Sequence, residues 1–249
     1  MKAFSKYLFF ALFVGVSVIP AFASIVGKKA PNFKAQAVID GQIQDISLQD
    51  FEGKNKILVF YPADFSFICP TELYALQDNL SEFEKRNAIL IAVSVDQIYS
   101  HQKWLNTPKQ NGGIQGITYP IASDVTKKIT QAYHVLDDQS GTALRGVFII
   151  DISNIVQAAM IYNMSIGRNT QEILRVLDAV IFTQEHGAVC PANWQEGKDG
   201  MKATQKGLID YLNNEPHTRS LDRNGDLEGP LVPGLTSQGF SGDKKDNHE

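Results

Sequence analysis

Cys69 and Cys190 are the only two cysteines in a chain of 249 residues. Two thiols are too few for a disulfide-stapled scaffold. They cannot close a four-ligand zinc site without histidines at short spacing, and His101, His134, His186, His217 and His248 are scattered. Three readings remain for the pair: inert core residues, a structural disulfide, or a redox couple. Cys69 has the more informative surroundings, Phe60-Tyr-Pro-Ala-Asp-Phe-Ser-Phe-Ile-Cys-Pro-Thr-Glu72. Pro70 suits the first turn of a helix, where its missing N–H is no loss. Cys69 then stands at a helix N-terminus, where unpaired N–H groups and the macrodipole stabilise a thiolate. The thiolate is the nucleophilic form of cysteine. The plainer alternative is a cysteine packed beside Ile68 as a small hydrophobe, and the polar, helix-starting neighbours weigh against it.

Ser66 precedes Cys69 by one helical turn, so its hydroxyl could donate to the sulfur or to a bound oxygen. It could equally be a plain N-cap, and the two roles are compatible. Glu72 follows Cys69 by three residues, on the same side of the helix. Alone it disfavours a thiolate, so its more plausible use is to orient a cation. Arg145, just before an apolar strand, is the candidate, against the alternative of an ordinary surface arginine.

A strand must end just before this segment and a helix must begin in it. Ile57 to Tyr61 is a short apolar strand, and Pro70 to Arg86 reads as a helix with Leu73, Leu76, Leu80 and Phe83 on one face. Upstream, short alternating segments between Phe33 and Leu48 flank the hairpin dipeptide Asp40-Gly41. Downstream, Ala88 to Val95 is a second buried strand, and Gln97–Leu105 and Asp124–Tyr133 read as helices. Val147–Asp151 and Ile155–Met160 form a hairpin around Ser153-Asn154. Asn169 with Glu172 resembles a capping box. It opens a helix carrying Ile173, Leu174, Leu177, Val180 and Ile181, and Lys198 to Leu212 is a further helix. The order predicts an α/β chain with a mixed central sheet flanked by helices, an N-terminal hairpin and a C-terminal helical extension. It fits a thioredoxin-like fold.

The apolar fraction of 43% is enough for a full core, and a net charge of −4 without a basic block argues against nucleic acid as a partner. Residues 1–23 read as an export signal: Lys2 and Lys6, an uncharged run from Tyr7 to Ile19, then the small-x-small pattern Ala21-Phe22-Ala23. An uncleaved anchor is the alternative. From residue 213 onward, Gly, Pro, Asp and Ser predominate and the expectation is a disordered tail. The domain scheme is therefore 1–23 signal, 24–185 main domain, 186–212 extension and 213–249 tail.

Pro62-x-x-x-Ser66-x-x-Cys69 resembles the peroxiredoxin motif Pro-x-x-x-Thr/Ser-x-x-Cys, and the surrounding segment looks like the typical 2-Cys class in nearly every position. Three further stretches match in order: His101-Gln-Lys-Trp-Leu-Asn-Thr-Pro108, Leu144-Arg-Gly-Val-Phe-Ile-Ile-Asp151 and His186-Gly-Ala-Val-Cys-Pro-Ala-Asn-Trp194. The resemblance spans roughly residues 25–212.

The resemblance implies roles at the matching positions. Cys69 is the peroxidatic nucleophile and Pro62 shields it from water. Ser66 and Arg145 bind the peroxide and support the thiolate, and Glu72 helps hold the arginine. Cys190 is the resolving cysteine, usually supplied by the partner subunit of a homodimer, and such dimers commonly assemble to a decamer. The substrates implied are hydrogen peroxide and organic hydroperoxides, with a thioredoxin-like protein or a flavoprotein reductase as the dithiol reductant. No metal or organic cofactor is implied. One departure is Ser66, where the class usually carries Thr. Another concerns overoxidation: sensitive relatives carry Gly-Gly-Leu-Gly and a C-terminal Tyr-Phe, whereas this chain has Gly112-Gly-Ile-Gln-Gly116 and Tyr211-Leu212. The overoxidation departures imply a robust enzyme, and the lost methyl at Ser66 implies looser orientation and a somewhat lower rate.

Two other function classes compete. A thioredoxin-like disulfide oxidoreductase would normally show Cys-x-x-Cys, which is missing here. A redox-switched holdase chaperone could coexist with peroxidase activity. The export signal points to a periplasm, the cytoplasmic location of most relatives being the alternative.

Overall fold

The structure, a computed structural model, describes residues 24–214. The expected signal segment and all of the expected tail beyond Asn214 lie outside the described residues. The chain divides into two compact units, the first running to Ile181 and the second starting at Phe182.

The first unit is built on a seven-stranded sheet of order β2-β1-β5-β4-β3-β8-β9. Its strands are β1 (Lys34–Ile39), β2 (Gln42–Ser47), β3 (Asn55–Phe60), β4 (Ala88–Ser94), β5 (Ile121–Ser123), β8 (Arg145–Ile150) and β9 (Val156–Tyr162). β3, β4 and β5 are parallel neighbours, and β1, β8 and β9 join antiparallel. The sheet is therefore mixed, as expected, and the fold is thioredoxin-like. All six residues of β3 are buried, which places that strand at the centre with both faces covered. Its alternating side chains feed two cores. Ile57 and Val59 pack with Leu73, Leu76 and Leu177 on one face, and Leu58 and Phe60 pack with Ile91, Tyr133 and Phe148 on the other.

Both expected hairpins form. Asp40 and Gly41 adopt φ of +49° and +76° between β1 and β2, the mirror-type turn whose twist matches the strands. Four expectations need correction. The helix expected over Pro70–Arg86 is two helices, α1 (Cys69–Asp78) and α2 (Leu80–Lys85). Asn79 separates them, with its Nδ2 donating back to the Ala75 carbonyl at 2.8 Å, a side-chain competitor for the helical ladder. The helix expected over Asp124–Tyr133 is only α4 (Lys128–Ala132). Lys127 at φ +60° blocks its upstream extension, and the Asp124 carboxylate accepts from the Thr130 N–H and hydroxyl at 2.7 Å. Three strands went unanticipated: β5, and the two-residue ladder of β6 (Leu136–Asp137) with β7 (Thr142–Ala143). Finally, the helix expected from Lys198 begins only at Gln205, as α6 (Gln205–Asn214). It continues past Leu212 through the first two residues assigned to the tail.

α3 (Ile98–Leu105) and α5 (Thr170–His186) complete the elements. Asn169 caps α5, its Oδ1 accepting from the N–H of Gln171 at 2.8 Å and of Glu172 at 3.3 Å. The Glu172 carboxylate is engaged by Arg175 at 2.7 Å, so the expected capping box is realised on the Asn169 side.

Candidate active site

β3 ends at Phe60, and the chain then crosses a short loop before Cys69 opens α1. Pro70 is its second residue, and Ile68 is the N-cap without any side-chain cap. Pro70 has no N–H, and the N–H groups of Thr71 and Glu72 donate to the Ile68 carbonyl at 3.0 and 3.3 Å, so the positive end of the helix reaches the sulfur as a dipole. Cys69 has no exposed surface, and both cysteines are present as thiols.

Arg145 is the first residue of β8, the strand paired beside β3. That register carries its guanidinium across to α1, where Nη1 lies 3.4 Å from Cys69 Sγ and 2.7 Å from Glu72 Oε2. Arg145 Nε donates to the Met164 carbonyl at 2.7 Å. Arg145 is therefore buried and not an ordinary surface arginine.

Glu72 also receives a second guanidinium, that of Arg168. Arg168 Nε and Nη2 grip the two carboxylate oxygens at 2.8 Å each, and the Arg168 main-chain N–H adds a bond of 2.9 Å. Arg168 Nη1 meanwhile donates to the carbonyls of Phe60 and Gly146 at 2.7 and 3.1 Å. The three charged side chains are at most 4% exposed. Two buried cations facing one buried anion leave one positive charge unbalanced. Arg145 thus stands as a cationic donor beside Cys69 Sγ, placed to meet negative charge that develops there. Sequence reasoning missed Arg168. Its only local signal is a position just before the cap residue Asn169.

The loop from Tyr61 to Ile68 forms the other wall. Ser66 is half-buried, and its Oγ donates to the Ala63 carbonyl at 2.8 Å. The hydroxyl proton is thus held by the loop and not by the sulfur, and Ser66 is not the helix N-cap. Pro62 is half-buried at the start of the loop. Behind it, Tyr61 OH donates to Asp64 Oδ1 at 2.8 Å, and the other Asp64 oxygen faces His101 Nδ1 at 2.8 Å. Burial, and then the Asp64 charge, push the Tyr61 phenol well above its ordinary range, which keeps it a donor. The Asp64 N–H is held by the Asp96 carboxylate at 3.0 Å. These bonds fix the start of the loop. Phe65, at φ +52°, lays its ring against Trp104 at 5.8 Å.

The structure therefore brings Cys69, Glu72 and Arg145 together, sets Ser66 in the adjoining loop, and places Cys190 in the second unit. Cys190 is half-buried there, between Val189 and Pro191. Among the described residues no group of histidines, cysteines and carboxylates could hold a metal ion.

Residues 26–159 match the AhpC/TSA family, and residues 179–214 match the C-terminal domain of 1-Cys peroxiredoxin. A thioredoxin peroxidase of Echinococcus granulosus is 44% identical over 77% of this chain and 100% of its own length. The chloroplastic 2-Cys peroxiredoxin BAS1 of Hordeum vulgare is 45% identical over 76% of this chain and 90% of its own. Among solved structures, the reduced 2-Cys peroxiredoxin of Plasmodium vivax superposes with a TM-score of 0.75 at 44% identity, covering 77% of this chain and 100% of that one. With a family match over more than half its length and relatives this similar, the chain belongs to the AhpC/TSA family of peroxiredoxins.

Proposed function

We propose that the chain is a thiol-dependent peroxidase in which Cys69 is the nucleophile and Cys190 the resolving thiol. One observation carries the reading: a cysteine that opens a helix has a buried guanidinium 3.4 Å from its sulfur. The Cys69 thiolate attacks one peroxide oxygen and the O–O bond breaks. Sulfur keeps that oxygen as a sulfenic acid, and the other leaves as hydroxide or alkoxide and takes a proton from water. Arg145 bridges sulfur and Glu72, so it is placed to stabilise the charge that develops on the leaving oxygen. Glu72 and Arg168 keep it there. Ser66 turns its hydroxyl from Ala63 to the incoming peroxide, and Pro62 screens the site from water.

The Cys190 thiol then condenses with the sulfenic acid, giving a disulfide and water. A dithiol, of the thioredoxin type or carried by a flavoprotein, restores both thiols by exchange. Cys190 is supplied by a second copy of the chain, in a homodimer that assembles further to a decamer. The likeness to 2-Cys relatives supports this arrangement. Export to a periplasm is supported by Lys2, Lys6, the uncharged run Tyr7–Ile19 and Ala21-Phe22-Ala23.

The test is turnover of purified protein. Cys69→Ser abolishes peroxide consumption, whereas Cys190→Ser gives one turnover and a trapped sulfenic acid. Substantial turnover by Cys69→Ser would sink the assignment. Peroxide-treated wild type runs as a covalent dimer on non-reducing gels, and an oxidised monomer would point to an intramolecular bridge. N-terminal sequencing of the native protein begins at Ser24, and intact Met1 in soluble protein would contradict export.

A further inference from the structure

Around Cys190 the second unit is folded onto itself. Val189 and Met201 form an antiparallel bridge, each N–H donating to the other's carbonyl at 2.8 Å. Inside the loop so closed, Trp194 is 3% exposed. Its ring lies against Phe182 at a centroid distance of 4.8 Å, and its Nε1 donates to the Lys198 carbonyl at 2.9 Å. Its main-chain N–H reaches the Pro191 carbonyl at 3.2 Å. Phe182 is stacked in turn on His186 at 4.4 Å. Gly200 fits only because it lacks a side chain, since a Cβ there would stand 2.4 Å from Phe182 Cε1. Cys190 is thus tied on both sides, through Val189 by the bridge and through Pro191 by the turn to Trp194.

We propose that Trp194 is a latch that holds Cys190 in this loop while it is a thiol, and that its release sets both the rate of the resolving step and the reduction potential of the resulting disulfide. The inference rests on Cys190 being the resolving cysteine. A disulfide needs the two Cα atoms within about 7 Å of each other. Cys69 is wholly buried in the first turn of α1, and Cys190 is flanked by Pro191 and the packed indole. On this proposal the loop around Cys190 gives way for the two backbones to come that close. The packing of Trp194 on Phe182, with its hydrogen bond to Lys198, belongs to the thiol form. Whatever stabilises the thiol form alone opposes the disulfide by the same amount. The chemistry is unchanged: Cys190–SH and Cys69–SOH give the disulfide and water. In the reverse half, a dithiol delivers two electrons and two protons and is itself oxidised to a disulfide. Loosening the latch therefore speeds disulfide formation and makes the disulfide harder to reduce.

The experiment uses the full-length protein with hydrogen peroxide in rapid mixing, following sulfenic acid formation and disulfide formation separately. Trp194→Ala leaves the peroxide step unchanged and speeds disulfide formation at least fivefold. Its thiol–disulfide equilibrium moves about tenfold toward disulfide, which is about 30 mV more negative. Trp194→Phe keeps an aromatic ring against Phe182 and falls near wild type. Gly200→Ala opens the same loop from the opposite side with Trp194 intact, and it moves both quantities in the direction of Trp194→Ala. Disulfide formation unchanged or slowed in Trp194→Ala and Gly200→Ala, with a normal peroxide step, would overturn the latch. If one variant also loses the peroxide step, the other decides. The underlying reading fails separately, if Cys190→Ser turns over like wild type.

Discussion

The surroundings of the two cysteines are opposites. Cys69 is wholly buried, opens a regular helix and faces Arg145 within a cluster of three buried charges. Cys190 is half-buried in an irregular loop whose framework is aromatic and main-chain, with Phe182, Trp194 and the Val189–Met201 bridge. The difference matches the roles proposed for the two thiols. A nucleophile that breaks an O–O bond needs fixed charge at the reacting atoms. A resolving thiol needs to arrive, so its control is conformational. Electrostatic changes should act on the first step and packing changes on the second.

The largest effect is expected at Arg145. Arg145→Met removes the charge 3.4 Å from Cys69 Sγ and should slow the peroxide step by about 10²–10³, the range for losing one preorganised transition-state donor. Disulfide formation from a given amount of sulfenic acid should hardly change. Stopped-flow rates for the two steps check it, and equal slowing of both would erase the contrast between the sites. Arg145→Lys should recover only part of the loss, because an ammonium cannot reach sulfur, Glu72 and Met164 with one planar fork.

Next comes Arg168, which touches no reacting atom. Its fork on Glu72 and its bonds to Phe60 and Gly146 make it a positioning residue. Arg168→Met breaks a buried ion cluster and should cost about 3–5 kcal/mol of stability, read as a lower denaturation midpoint. The peroxide step should slow by about tenfold, as Glu72 then keeps only the main-chain N–H of residue 168 and Arg145 itself to hold it. Arg168→Lys should restore much of the stability but less of the rate. A normal rate in Arg168→Lys would show that Arg145 needs no such support.

The same contrast marks what could be read without coordinates. Cys69 and Glu72 were legible because an N-terminal helical turn imposes their spacing, and Arg145 because it starts an apolar strand. Arg168 was not, since its partner lies on an element remote in sequence and nothing local distinguishes it from a surface arginine. Most of the order of elements along the chain followed from apolar runs, but β5 has only three residues, too few to show a period. The division of the expected helix at Asn79 depends on one side-chain bond to Ala75. The loop around Cys190 was invisible as structure, because a β-bridge closed between two non-repetitive segments leaves no periodicity. The role suggested for Ser66 as an N-cap failed because α1 begins only at Cys69, with Ile68 as its N-cap, two residues beyond Ser66.

Overoxidation tests the two regions against each other, since the sulfenic acid at Cys69 is either captured by Cys190 or driven by more peroxide to sulfinic acid. α6 buries none of its residues, and Leu208, Ile209 and Leu212 are 38–51% exposed. A helix held so weakly adds little to the cost of opening. Turnover at millimolar peroxide, followed by mass spectrometry, should find Cys69 mainly as the disulfide. A dominant sulfinic form would show that the second unit opens slowly despite its sparse packing.

The smallest effect is expected at Ser66, and it tests whether fixed geometry at the first site extends beyond charge. The hydroxyl now bonds the Ala63 carbonyl at 2.8 Å and must turn to meet a peroxide. Serine has three χ1 wells to choose from, whereas the branched Cβ of threonine restricts χ1. Ser66→Thr keeps the donor and reduces the rotamer freedom lost when the peroxide binds. That freedom is worth about 0.5–1 kcal/mol, so the peroxide step should quicken by about two- to fivefold. Ser66→Ala should slow it by about tenfold, as expected for a neutral donor worth about 1 kcal/mol or somewhat more. Neither change should alter disulfide formation, a step in which the Ser66 hydroxyl donates to no reacting atom. Peroxide rates measured at pseudo-first-order excess separate these values easily. If Ser66→Ala reacts as fast as wild type, the hydroxyl belongs to the loop alone, and the first site works through Arg145 and the helix terminus without it.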